Sequence, residues 1–306
     1  MREARTIVGL GEVLWDLLPG GKQLGGAPAN FSYIASLLGH RGVVASRIGG
    51  DDLGKELAQK LAGLGLDRSF LQNDGAHATG TASVHVDGRG QPTFEISENV
   101  AWDFLEWTPA WERLAGEADA ICFGSLAQRS SRSRETIRNF LSASREEALR
   151  IFDVNLRQKY YSAEILSESL RLANVVKLND AELPIVTEQL NLKLEDERAA
   201  AESLRRAFRL KLACVTRGNR GSLLVSESAS DEHPGFPVRV ADSVGAGDAF
   251  TAGLAHHLLK GSSLRVMNEA ANRLGAWVAS HAGATPQADA ALAEILAGTY
   301  TSGSRS

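Results

Sequence analysis

Seven short apolar runs alternate along this chain with eight segments of helical periodicity, and that alternation limits the fold more than any single motif does. The runs lie at residues 6–10, 43–48, 120–123, 150–154, 175–178, 213–216 and 222–225. The helical patterns lie at 28–38, 53–64, 134–148, 163–173, 195–208, 249–259, 264–281 and 289–296. Strands that are apolar on both sides have to be covered on both faces, and helices that return the chain to the same edge of a parallel sheet do this. The pattern predicts an α/β fold: a mostly parallel sheet with helices on both faces, binding ligands beyond the carboxyl ends of its strands. The 306 residues are enough for a single domain of this kind over 1–306.

Two segments depart from the alternation. Residues 12–18 follow the first strand and read as a further strand. Residues 80–96 alternate apolar with polar around Asp87-Gly88-Arg89-Gly90, which is a hairpin with a glycine-containing turn. These pieces predict a small β-sheet lid, contributed by roughly residues 12–25 and 78–104. The alternative is extra strands on the edge of the main sheet. The tail, 299–306, is small and polar and reads as frayed.

A formal charge of −4 argues against a nucleic-acid surface. No apolar run approaches the length of a membrane span, and residues 1–6 are charged, unlike a secretory leader. Cys122 and Cys214 sit in apolar, strand-like runs and read as buried free thiols. A cytoplasmic protein is the expectation.

The chemistry is concentrated in Asp242-Ser243-Val244-Gly245-Ala246-Gly247-Asp248-Ala249-Phe250, which leads into a helix. Gly245, Ala246 and Gly247 leave backbone N–H groups open at a helix N-terminus, a ready anion site. A carboxylate there is poorly placed to hold a phosphate but well placed to take a proton from whatever attacks one, so Asp248 is a candidate base. A plain helix cap is the alternative.

Other motifs fail. Gly49-Gly50-Asp51-Asp52-Leu53-Gly54-Lys55 has the spacing of a P-loop, but Glu56 follows where Ser or Thr is needed, and two aspartates would repel a triphosphate. A turn in which Asp51 or Asp52 caps the next helix explains it. Phe250 occupies the third glycine position of a dinucleotide fingerprint, and neither zinc-ligand spacing nor G-x-S-x-G is present.

A second glycine-rich element, Gly25-Gly26-Ala27-Pro28-Ala29-Asn30, opens a helix at its proline. Asn30 in that first turn and Asp16 on the lid-like strand suit adjacent sugar hydroxyls; each is equally a cap or turn residue. Asn179 and Glu182 have the spacing of a capping box, or of an Asn and a Glu that position magnesium waters beside phosphates. Thr216-Arg217-Gly218 ends another strand where a nucleotide can lie.

Together these elements resemble the ribokinase-like carbohydrate kinases, also called the phosphofructokinase-B family. Gly25 to Asn30, continued by Ile48-Gly49-Gly50-Asp51-Asp52-Leu53-Gly54, is similar to the family's N-terminal signature. Asp242 to Phe250 resembles its C-terminal signature, with Ser243 in place of the commoner Thr, and Asn179-Asp180-Ala181-Glu182 matches its N-x-x-E element. The resemblance covers roughly Val8 to Pro286. It implies a ribokinase-like fold in which Asp248 is the base and the N–H groups of Gly245, Ala246, Gly247 and Asp248 form the anion hole. Asp16, Gly25, Gly26 and Asn30 would hold the sugar, and Asn179, Thr216, Gly218 and Asn272 the ATP. Glu182 would serve magnesium through water, and Asp242 with the carbonyls of Val244, Val278, His281 and Gly283 would hold potassium.

Gly11-Glu12-Val13-Leu14-Trp15-Asp16, Glu98-Asn99-Val100-Ala101-Trp102-Asp103, Gly124-Ser125-Leu126-Ala127-Gln128-Arg129 and Gly283-Ala284-Thr285-Pro286 look most like the fructokinase branch. Trp102 is a candidate to stack on a sugar face, with lid packing as the alternative. Arg157, in Asp153-Val154-Asn155-Leu156-Arg157, occurs also where the substrate is a sugar acid. The implied function is an ATP-dependent kinase making fructose 6-phosphate, as a homodimer built through the lid, with no nucleic-acid or membrane partner. Kinases for 2-keto-3-deoxygluconate or a nucleoside are the enzymatic alternatives, and a non-catalytic sugar- or nucleotide-binding protein is the other.

Overall fold

The computed structural model describes residues 4–86, 92–192 and 196–297. The chain begins with β1 (Thr6–Leu10), β2 (Leu14–Leu18), β3 (Gly21–Gly25) and α1 (Ala27–Leu37). Next come β4 (Arg41–Gly49), α2 (Asp52–Gly63), β5 (Leu71–Asp74), β6 (Gly80–Val86) and β7 (Pro92–Ile96). They are followed by α3 (Pro109–Glu117), β8 (Ala120–Phe123), α4 (Ser131–Ala143), β9 (Leu149–Asp153), α5 (Ala163–Leu172), β10 (Val175–Asn179) and α6 (Glu182–Gln189). The last third holds α7 (Glu197–Phe208), β11 (Leu212–Thr216), β12 (Ser222–Ser226), β13 (Ser230–His233), α8 (Ala246–Leu259), α9 (Leu264–Ala279) and α10 (Ala290–Ala297).

The main sheet runs β13-β12-β11-β10-β9-β8-β1-β4-β5. From β5 to β11 every neighbouring pair is parallel; β12 and β13 close that edge in antiparallel. The central strands are buried on both faces, as in Ala120–Phe123, where all four residues are inside. Their side chains alternate between two apolar layers. Val8 and Leu10 join the layer that holds Trp111, Phe140, Leu170 and Leu204, whereas Ile7 joins that of Phe31, Leu57, Leu254 and Leu274. Helices α3 to α7 thus cover one face and α1, α2 and α8 to α10 the other.

The departing segments form their own sheet, β3-β2-β6-β7, apart from the main one. This rules out the edge-strand alternative. The expected turn at 87–90, the expected helix start at 195 and the tail at 299–306 lie outside the described residues. The expectation missed β3, β5, β13, α3 and α6. Strands β3 (Gly-Lys-Gln-Leu-Gly) and β13 (Ser-Asp-Glu-His) are edge strands with polar sequences, which carry little periodicity. In α6 a proline lies near the start and hides the helical pattern. Asp51 caps α2, accepting from Gly54 N at 2.8 Å, so the P-loop look-alike is a capped turn. Both cysteines are buried and free, and burial pushes the Cys214 thiol up to about 12.

Candidate active site

Strand β1 pairs with β4 on one side and β8 on the other, so the chain leaves it in both directions and a crevice opens at its carboxyl end. Helices α1 and α8 pack side by side and bring their N-termini there. Helix α8 begins at Ala246, three residues earlier than its apolar pattern suggests, because Gly245 takes a left-handed φ of 79° and caps it. Ala246, Gly247 and Asp248 therefore make up the first turn, whose N–H groups have no intrahelical partner, although Ala246 N donates to Ser243 O at 3.3 Å.

Asn30 is buried in the first turn of α1, and its Nδ2 donates to Asp248 Oδ2 at 2.8 Å. Its Oδ1 is buried with no partner among the described residues. Asp248 is pushed up to about 6, chiefly by burial and then by the Asp153 carboxylate. The Asn30 hydrogen bond and the charges of Lys177 and Arg157 hold it from rising further. A carboxylate in that range is a competent proton acceptor near neutral pH.

Asp16 projects from β2 over the second glycine element: a Cβ on Gly25 would lie 2.3 Å from Asp16 Oδ2, so only glycine fits beneath it. Burial raises Asp16 to about 6, against the opposing pull of Arg157. Gly26 precedes α1 as its N-cap. Arg157 is exposed, with Nη1 on its own residue-neighbour carbonyl, Leu156 O, at 3.0 Å; its charge reaches Glu12, Asp16 and Asp248 alike. Trp102 does not fit the role of a sugar platform. Its side chain is wholly buried, and the Arg129 guanidinium lies 4.0 Å from the ring centroid, so the face is covered.

Where the nucleotide is expected, Asn179 and Thr216 are register partners at the ends of β10 and β11. Asn179 Oδ1 accepts from Glu182 N at 2.8 Å, and Glu182 Oε2 accepts from Asn179 N at 2.8 Å: the capping box is real. Glu182 Oε1 also holds Leu156 N, at 2.8 Å. With each oxygen of this buried carboxylate engaged by backbone, the pair fits a hydrated magnesium ion only through remaining lone pairs and water, not by direct ligation. No cluster of three metal-ligating side chains occurs among the described residues. Gly218 opens a one-turn 3₁₀ helix after β11 with φ of 59°. Asn272, expected along the nucleotide, has its amide donors engaged within the protein. Its buried Nδ2 bonds Ser222 Oγ at 2.7 Å and Asn268 O at 2.8 Å, so its donors fasten α9 to β12.

Asp242 ties together the two loops that carry the expected potassium carbonyls, accepting from Val244 N at 3.0 Å and Gly283 N at 3.2 Å. The Val278 carbonyl already accepts from His281 N, at 3.0 Å. His281 uses its ring on Trp277 O and Asp289.

Sequence reasoning overlooked four site residues. Glu12 lies at the end of β1, 3% exposed, and burial lifts it to about 7. Lys177 and Asp153 are register partners on β10 and β9 and form a buried ion pair at 3.0 Å. Arg129 chelates Asp103 with two bonds of 2.8 Å beneath the small sheet. A signal existed for the pair: Lys177 and Asp153 are opposite charges within or ending short strands that are mostly apolar.

Comparison with known proteins agrees with this geometry. A family model described as pfkB family carbohydrate kinase matches residues 20–291. The fructokinase of Escherichia coli is 31% identical over 259 residues, covering 80% of this chain and 81% of its own. The structure of a fructokinase with bound ATP from Xylella fastidiosa superposes with a TM-score of 0.81 at 25% identity, over 95% of this chain and 97% of that one. A Vibrio cholerae fructokinase with fructose, ADP and calcium ion bound gives 0.78 at 25% identity, over 96% and 98%. No helix among the described residues is long and apolar enough to cross a membrane. With its family model spanning nearly the whole chain and its two glycine-rich motifs meeting at one crevice, this chain belongs to the pfkB family of carbohydrate kinases.

Proposed function

We propose that this carbohydrate kinase transfers the γ-phosphate of ATP to the primary hydroxyl of fructose, giving fructose 6-phosphate. The observation that carries the reading is the Asn30–Asp248 hydrogen bond, which brings the carboxylate of the anion turn against the glycine element expected to hold the sugar. Asp16 and the unpartnered Oδ1 of Asn30 accept from sugar hydroxyls. Asp248 takes the proton of the attacking hydroxyl while the bond between the γ-phosphorus and ADP breaks. The N–H groups of Gly245, Ala246, Gly247 and Asp248 meet the charge that develops, each worth about 3–4 kcal/mol by analogy with oxyanion-hole donors. Asn179, Thr216 and Gly218 border the nucleotide, and Glu182 would hold magnesium through water. Potassium bound at the Asp242 loops would stiffen the anion turn. The small sheet excludes water over the sugar. Strands β3 and β7 are its two edges, and an unpaired edge can join a second copy, which supports a homodimer through the lid.

One feature favours a second reading. Arg157 is exposed yet electrostatically coupled to Glu12, Asp16 and Asp248, a position from which it can receive a substrate carboxylate, as in 2-keto-3-deoxygluconate. ADP release measured over fructose, 2-keto-3-deoxygluconate and nucleosides, with and without potassium, separates the two. Fructose is expected to give the highest kcat/KM; no turnover of fructose rejects the first reading. Calorimetry showing sugar binding with no ADP formed with any acceptor would favour a non-catalytic binder.

A further inference from the structure

We propose that Lys177 is a catalytic residue, its ammonium meeting the transferring phosphoryl group through the opening that Gly247 leaves in the anion turn. The proposal rests on the kinase reading above. Gly247 has no positive φ, unlike Gly245, so backbone conformation does not demand a glycine there. What demands it is Lys177: a Cβ at 247 would lie 2.9 Å from Nζ. The lysine cannot easily swing aside, since its side chain is 9% exposed and Nζ holds Asp153 Oδ1 at 3.0 Å and Oδ2 at 3.2 Å. Thr251 Oγ1 lies 2.9 Å from both Asp153 Oδ2 and Gly247 O, and its single proton is shared between these two acceptors. Gly247, Thr251, Asp153 and Lys177 thus close a ring beneath the first turn of α8.

An ammonium has three N–H donors, and Asp153 uses two. The third is left beside Gly247, in the first turn of α8. Burial alone would favour neutral lysine, but the Asp153, Glu182 and Asp248 carboxylates hold its pKa above the usual value, so the charge persists at neutral pH. A buried ion pair adds little stability over an apolar pair of the same size, so packing alone is a weak reason to place one under the anion turn. In the reaction Lys177 keeps its proton. The sugar oxygen forms the new bond to phosphorus, ADP leaves, the hydroxyl proton goes to Asp248, and Lys177 stabilises the charge on the phosphoryl oxygens.

The test is the charge-balanced double variant Lys177→Met/Asp153→Asn, in which Asn can still accept from Thr251. The readouts are kcat on the best sugar of the panel, and affinities for ADP and for a non-hydrolysable ATP analogue with magnesium. The expected result is a fall in kcat of roughly 10²–10³-fold. Affinity for the ATP analogue should fall about tenfold, as for loss of one charged contact, with ADP affinity unchanged. A kcat within about threefold of the parent, or equal losses for both nucleotides, overturns the proposal. Should the double variant not fold, Gly247→Ala keeps both charges and displaces Nζ; the same loss of ATP preference is expected, and an unchanged preference overturns the proposal. The binding arm needs no acceptor, so parent protein that prefers ATP to ADP but phosphorylates no sugar rejects the sugar-kinase reading while leaving the contact of Lys177 with the γ-phosphate. Parent protein that binds no ATP overturns both.

Discussion

Asn30 Nδ2 lies 2.8 Å from Asp248 Oδ2, a single hydrogen bond that joins two glycine-rich motifs 218 residues apart. It couples the residue expected to touch the sugar to the residue expected to deprotonate it.

Asp248→Asn is therefore expected to fold normally and bind ATP, yet lose about 10²- to 10⁴-fold in kcat, because an amide cannot take the proton. Steady-state kinetics beside a thermal melt check this. Turnover near the parent value would remove Asp248 from the role of base.

The same bond sets a pH dependence. In the proposed role of base Asp248 has to be ionised, so kcat/KM is expected to fall as pH drops through about 6. Asn30 donates to the ionised form and lowers the pKa. Asn30→Ala should thus move the acid limb upward by about one pH unit, the worth of one hydrogen bond to a charged group. A pH–rate profile of both proteins reads the shift, and a limb that stays in place or moves down contradicts the coupling.

Glu12 is the buried carboxyl with most to gain from neutralisation. Burial raises it from 4.5 to about 7, so the folded state binds its proton more tightly than the unfolded chain does. Stability from this group is present below about pH 4.5, declines as pH rises toward about 7, and stays low above that. Glu12→Gln is expected to stabilise the protein above pH 7, by on the order of 3 kcal/mol at most, and to change little at pH 4.5. Thermal melts at the two pH values test it; equal effects at both would show that ionisation is not the cause.

Trp102 and Arg129 belong to the support of the small sheet. Trp102→Ala should cost about 3–5 kcal/mol as a fully buried ring is lost. Arg129→Met should cost a similar ~3–5 kcal/mol by leaving the buried Asp103 carboxylate unpaired. Denaturant titration measures both. A Trp102 variant of unchanged stability but raised KM for the sugar would restore the stacking role.

Much of this molecule was open to sequence reasoning because its signals are local. The apolar runs of β1, β4 and β8 to β12, the proline at the start of α1 and the glycines before α8 each impose a conformation on a few neighbouring residues. Asp51 capping α2 and the Asn179–Glu182 box are also local, and in the fold both Glu182 carboxylate oxygens accept from backbone N–H groups.

The alternation of strands and helices and the two glycine motifs determined, without any coordinates, a mostly parallel α/β sheet with two glycine-rich helix starts. Tertiary structure alone decided that Trp102 is covered by Arg129, that Asn272 spends its donors on Ser222 and Asn268, that Glu12 is buried at the crevice, and that Lys177 stands under Gly247. The reason is physical. Conformational preference acts over a few residues along the chain, whereas burial, charge pairing and the space around an atom depend on groups tens to hundreds of positions away, which meet only when the sheet is assembled.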